Sequence, residues 1–100
     1  MPLKNKSMNK NRNASQITED ILISLLKSGN NGITVTPLIR KANLSHSRVN
    51  NFLQKLIQNN LVNEIQVDNK KVYIITERGQ MYLEEYKKFS AIAESFGFEL

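Results

Sequence analysis

One hundred residues, 40% of them hydrophobic, make one domain with one modest core and leave no room for a deep cleft between two domains. A formal net charge of +5 and a pI near 9.6 favour an anionic partner, nucleic acid ahead of membrane. Cysteine is absent, which excludes disulfides and thiol chemistry and fits a reducing cytoplasm; no apolar run approaches the roughly 20 residues of a membrane span, and Met1-Pro2-Leu3-Lys4 does not read as a secretory leader.

Residues 1–14 carry Lys4, Lys6, Lys10 and Arg12 among Asn and Ser, with no acid and no hydrophobic periodicity, and read as a flexible basic tail. The first helix is expected to start near Ser15 as N-cap, with Glu19 and Asp20 in its opening turns where the dipole favours acids. Ile17, Ile21, Leu22, Leu25 and Leu26 recur at helical spacing, and Lys27 and Gly29 mark the end. Ile33-Thr34-Val35 suits one small strand or an extended link. Thr36-Pro37, an N-cap followed by proline, predicts a short second helix through Ala42 with Leu38, Ile39 and Ala42 inward. After a turn at Asn43-Leu44, Ser45 caps a third helix reaching about Asn60, its buried stripe being Val49, Phe52, Leu53, Leu56 and Ile57. At about 100° per residue, Ser47, Asn51, Gln54, Lys55 and Gln58 lie opposite that stripe, with Arg48 and Asn50 on its flanks.

Leu61 to Val67 then reads as a strand, Asp68-Asn69-Lys70-Lys71 as a turn, and Val72 to Ile75 as a second strand closing a hairpin. Thr76 caps a last helix from Glu77 to about Phe96, which Gly97 ends. The expected organisation is a tail over 1–14, a helical domain with its hairpin over 15–76, a C-terminal helix over 77–97, and a short end over 98–100. The fold class is α+β, mainly α: three helices plus a β-hairpin wing, the winged helix-turn-helix order, with a long C-terminal dimerisation helix.

From Ile21 to Asn63 there is no Asp or Glu, while Lys27, Arg40, Lys41, Arg48 and Lys55 lie within that stretch. Carboxylates there would repel phosphate, so an acid-free surface beside a helix-turn-helix pattern suits double-stranded DNA. The major groove admits one α-helix, and Asn, Gln and Arg hydrogen-bond base edges. The expected DNA-binding set is Thr36, Arg40, Lys41, His46, Ser47, Arg48, Asn50, Asn51, Gln54, Lys55, Lys70 and Lys71. Helix 45–60 would enter the major groove, and the wing over 64–76 would rest on flanking backbone. The single histidine has no companions to hold a metal, so neither metal nor cofactor is expected.

On the last helix Tyr82, Tyr86, Phe89, Ala93 and Phe96 are spaced four, three, four and three apart, with Ile92 beside them. That heptad seam, on a helix about 30 Å long, predicts a homodimer through Tyr82, Tyr86, Phe89, Ile92, Ala93 and Phe96. Glu84 and Glu85 are neighbours on a helix and point about 100° apart, so they are no acid–base pair. No enzymatic activity, no membrane partner and no assigned small-molecule effector follow from the chain.

Three segments carry a family likeness: Lys41-Ala42-Asn43-Leu44-Ser45, Asn60-Leu61-Val62, and Tyr73-Ile74-Ile75-Thr76-Glu77-Arg78-Gly79 leading into Tyr82-Leu83-Glu84-Glu85-Tyr86. Through them the chain resembles small archaeal winged-helix DNA-binding proteins that dimerise through a C-terminal coiled coil, and more loosely MarR-type regulators. The resemblance covers about Arg12 to Phe89. It implies that Ser45 to Lys55 is the recognition helix, that Asp68 to Lys71 tips the wing, and that two subunits pair antiparallel through the last helix. Such proteins tend to be more basic where Val35, Pro37, Ser47, Asn50 and Asn51 stand here, which favours a polar, sequence-reading helix. A nucleoid-associated regulator in the cytoplasm is the expectation. An architectural, chromatin-type DNA binder and a protein–protein interaction module are the alternatives.

Overall fold

The computed structural model describes residues 13–98. The cations Lys4, Lys6, Lys10 and Arg12 lie outside the described residues. In chain order the elements are α1 (Ala14–Ser28), α2 (Val35–Ala42), α3 (His46–Gln58), β1 (Val62–Val67), β2 (Lys70–Ile75) and α4 (Glu77–Ser95), with one 3₁₀ turn at Gly29–Asn31.

The first helix starts earlier than Ser15. Asn13 is its N-cap, accepting from the Gln16 N–H at 2.9 Å while the Asn13 N–H donates to the Gln16 side chain at 3.1 Å. This reciprocal capping box satisfies two otherwise orphaned N–H groups and outcompetes a lone serine. Asn13 and Ala14 therefore belong to the helix rather than to a tail, and Glu19 and Asp20 fall beyond its first turn. The second helix also starts early, with Thr34 as N-cap and Pro37 in the third helical position. Proline is tolerated there because first-turn N–H groups have no partner within the helix. Its entry is set from outside: Ile33 exchanges backbone hydrogen bonds with Tyr73, at 3.1 and 2.9 Å, as a one-residue third strand.

Ser45 caps α3 as expected, accepting from the Arg48 N–H at 3.2 Å. The helix stops at Gln58, two residues short of the expectation, because Asn60 turns left-handed at φ +63°. In the hairpin Lys70 and Lys71 belong to β2, not to the turn. The turn is Asp68-Asn69 alone, at φ +52° and +66°. Two left-handed residues make a tight primed turn, which fixes the register Val67↔Lys70, Gln66↔Lys71 and Glu64↔Tyr73.

Thr76 joins three elements. Its hydroxyl accepts from the Gly79 N–H at 2.9 Å and donates to the Asn60 carbonyl at 2.7 Å, while its own N–H reaches the Leu61 carbonyl at 3.0 Å. That stitching brings α4 so close to the start of β1 that a Cβ on Gly79 would collide with the Leu61 carbonyl oxygen and the Ile75 side chain. Gly79 is there for that approach, not merely as a helix start.

The core runs through all of these elements. Ile21, Leu22 and Leu25 from α1, Leu38 from α2, Val49 and Leu53 from α3 and Val62 from β1 are almost fully buried, with Tyr73, Ile75 and Leu83 completing it. At α4's end the Phe98 N–H bonds to the Ala93 carbonyl and the Gly97 N–H to the Glu94 carbonyl, with Gly97 at φ +87°. This Schellman motif stops the helix.

Candidate nucleic-acid interface

Three chain segments meet beside the outer face of α3. The start of α2 (Thr34, Val35, Thr36), the first turns of α3 (His46, Asn50) and β2 (Lys70, Lys71, Tyr73) line one groove of about 460 Å³. Strand alternation puts Lys71 on the helix-facing side with Tyr73, and Lys70 on the opposite side at the wing's end. Among the described residues no carboxylate lines this groove. Above it, Ser47, Arg48, Asn51 and Gln54 are all exposed along α3.

The expected residues do not all converge. Lys55 looks the other way, into a second groove shared with Arg78, Met81 and Tyr82 at the root of α4. Lys41 borders a small cleft of about 220 Å³ between α1 and α2, with Asp20, Ser24 and Lys27. Arg40 is exposed on α2. The expected cations are thus dispersed, and it is the wing lysines that share a groove with α3's first turns.

Sequence reasoning missed four contributors. Thr34, Val35 and Tyr73 enter the groove because α2 starts two residues early and β2 runs behind it. Glu64 is the fourth: its carboxylate lies 3.6 Å from the Lys71 Nζ. The hairpin register carried the signal for it, since a two-residue turn makes Glu64 and Lys71 diagonal neighbours on one face. Tyr73 has a phenol whose pKa lies above its usual value, raised first by burial and then by the nearby Glu64 charge.

The long α4 carries two apolar stripes rather than one seam. Leu83 is buried in the core, Tyr86 is half-buried, and Ala93 is buried near the helix's end. Burial raises the Tyr86 pKa, with smaller contributions from Glu19, Tyr82 and Asp20. Tyr82, Phe89, Ile92 and Phe96 lie on an exposed side, with Tyr82 stacked on Tyr86 at a ring separation of 6.4 Å. The six residues expected at a dimer interface are thus divided between two faces.

The element order and groove geometry agree with a match to known proteins: residues 11–94 fit the family model described as winged helix-turn-helix. The chain belongs to the winged helix-turn-helix family. No curated protein sequence matches it. Among solved structures, this winged helix-turn-helix chain is similar to Sso10a-2, a DNA-binding protein from Sulfolobus solfataricus, with TM-score 0.71, 23% identity and 85% of each chain covered. It is similar to a MarR family transcriptional regulator from Silicibacter pomeroyi, with TM-score 0.65, 20% identity, and 91% of this chain and 65% of that one covered. A mutant of MepR from S. aureus bound to an oligodeoxyribonucleotide is a third, with TM-score 0.69, 15% identity, and 90% and 66% covered. None of the three is named as an enzyme. No helix among the described residues is long and apolar enough to cross a membrane.

Proposed function

We propose that this winged-helix protein binds double-stranded DNA as a homodimeric transcription regulator in the cytoplasm. Helix α3 enters the major groove, presenting Ser47, Arg48, Asn51 and Gln54 to base edges. The wing lies on flanking backbone, with Lys70 and Lys71 on phosphate, and His46, Asn50 and Thr36 border the same path. Arg40, Lys41 and Lys55 add outlying phosphate contacts, and the basic residues before Asn13 add a sequence-blind electrostatic term. The α4 helices join the two copies.

The observation that carries this reading is the groove that the wing lysines line together with the first turns of an acid-free helix, with Lys71 on the helix-facing side. A purely architectural coat has less support, because the wing also bears Glu64 and Asp68, which weaken a uniform grip on phosphate. Selection from a random duplex pool tests the proposal. Enrichment of a common motif is the expected result; uniform retention would favour an architectural binder, and no retention at low salt would favour a protein-interaction module.

A further inference from the structure

The wing has an open edge. Ile33 and Tyr73 exchange backbone bonds on one side of β2, and β1 pairs on the other side, so the lateral order is Ile33, β2, β1. Among the described residues nothing pairs with the outer edge of β1. The Ile33 bonds also fix which groups that edge presents. Because the N–H and C=O of Tyr73 point to Ile33, Tyr73 and Glu64 form a non-hydrogen-bonded pair, and the hairpin's bonds run through Ile65↔Val72 and Asn63↔Ile74. The Thr76 N–H donating to the Leu61 carbonyl continues the same alternation. The N–H and C=O of Glu64 and Gln66 therefore face outward. One face of this edge is apolar: Ile65 and Val67 share it with Val72 and Ile74. A Cβ on Gly32 would come within 3.1–3.2 Å of the Ile74 and Val72 side chains, so the turn before Ile33 covers the root of that face. Ile65 and Val67, nearer the tip, stay 42% and 46% exposed. Edges are ordinarily guarded by lysine, proline or a bulge. Strand β1 has none of these, and its single charge, Glu64, lies on the other face beside Lys71.

We infer that β1 edges of two copies pair antiparallel about Ile65, joining neighbouring proteins wing to wing along one duplex. The charges select that register. Side chains of one face must meet side chains of the same face, so a two-fold pairing centres on a residue and not between two. Centring on Glu64 opposes two carboxylates, and centring on Gln66 sets Glu64 against Asp68 twice, each destabilising. Farther either way the overlap runs into buried Val62 or into the turn. Centring on Ile65 sets Ile65 against Ile65, Asn63 against Val67 and Glu64 against Gln66. The outward groups of Glu64 and Gln66 then meet each other. Size selects the setting. Five residues rising about 3.4 Å each, in a sheet about 10 Å thick, bury on the order of 200 Å² per copy. A stable interface takes about 800 Å² per partner, so free copies stay apart and the contact forms where DNA holds them side by side. This rests on the DNA reading above. The wing lysines stand on β2, so phosphate contact leaves the β1 edge free.

The cysteine-free chain permits a direct test by oxidative cross-linking of the full-length protein. Across the axis the two Ile65 residues form a non-hydrogen-bonded pair with Cα atoms about 4.5 Å apart, within disulfide reach. Ile65→Cys should therefore cross-link on saturated long duplex, and without DNA only at about millimolar protein. Val67→Cys should not cross-link, because the two copies of that residue lie four strand positions apart, about 14 Å. Ile65→Lys and the uncharged Ile65→Gln should each lower affinity for long duplex about tenfold and turn a sigmoidal isotherm hyperbolic. Ile65→Gln should leave affinity for a duplex holding one protein unchanged, and both variants should keep the parent circular dichroism spectrum. Non-cooperative binding by the parent on long duplex, equal cross-linking by Val67→Cys, or no cross-link from Ile65→Cys with or without DNA would each overturn the pairing. The DNA reading fails separately: no retention of duplex at low salt, with Ile65→Cys still cross-linking at high protein concentration, refutes that reading and upholds the edge contact.

Discussion

Lys71 and Glu64 form a diagonal cross-strand pair on the helix-facing side of the wing, with Nζ and Oε2 3.6 Å apart. The wing lysine nearest α3's first turns therefore already has a counter-charge before any phosphate arrives. An exposed pair of this kind is worth under about 1 kcal/mol to the fold. Glu64→Gln should consequently leave thermal stability nearly unchanged and tighten DNA binding at low salt, by at most about fivefold. The gain should shrink as salt rises, because screening weakens exposed charges. Fluorescence anisotropy at two salt concentrations checks both statements; an unchanged or weaker affinity would remove the wing from the interface.

Base reading and phosphate gripping separate by substitution. Arg48→Ala and Asn51→Ala should each cost about 1–3 kcal/mol on a selected site and little on random duplex. Lys70→Ala should weaken both DNAs alike and lower the slope of log affinity against log salt by about one. Competition binding on the two DNAs measures the difference, and equal losses for Arg48→Ala on both would reduce it to a phosphate contact.

Gly79→Ala places a methyl group against the Leu61 carbonyl oxygen. In an open helix the change would gain up to about 1 kcal/mol of helix propensity. Here α4 must move away from the start of β1, so a net loss of about 1–3 kcal/mol is expected. For a domain of this size that lowers the melting temperature by about 4–8 °C per kcal/mol. Thermal denaturation followed by circular dichroism reads it, and a rise in melting temperature would show that the close approach costs nothing to relieve.

Alkaline pH should act through Tyr73. Burial and the Glu64 charge raise its phenol above the usual value of 10.0, so folding favours the protonated form. The corresponding stability is fully present below about pH 10 and is lost as pH rises through the raised folded value. Tyr73→Phe should match the parent protein near neutrality and lose less stability as the pH rises above 10.0, the ordinary phenol value. Urea denaturation at stepped pH tests this; identical alkaline losses in both proteins would mean that the phenol ionises without opposition from the fold.

Local signals were legible in the chain. The cap at Ser45, the turn at Asn43 and the stop at Gly97 depend on interactions within a few residues, and each stands where the residues alone placed it. The capping box of Asn13 and Gln16 was equally local and was missed only because Ser15 offered a competing cap. The start of α2 was a different matter. Thr36-Pro37 is the stronger local signal, but Ile33's bonds to Tyr73, forty positions away, decide where the helix begins.

The same division holds for the site. Helical periodicity by itself determined which side chains of α3 point outward and which are buried, because the angle between successive residues is a property of the helix alone. It also determined that α4 would be apolar along its length. Only the tertiary structure decided which neighbour each face meets: His46 and Asn50 beside the wing lysines, Lys55 beside Arg78, and α4's apolar residues divided between the domain's own core and an open stripe. Those neighbours are set by how the hairpin and α4 fold back over the helices. That return is fixed by Thr76, Gly79 and the carbonyl of Leu61, contacts between chain segments that no local spacing encodes.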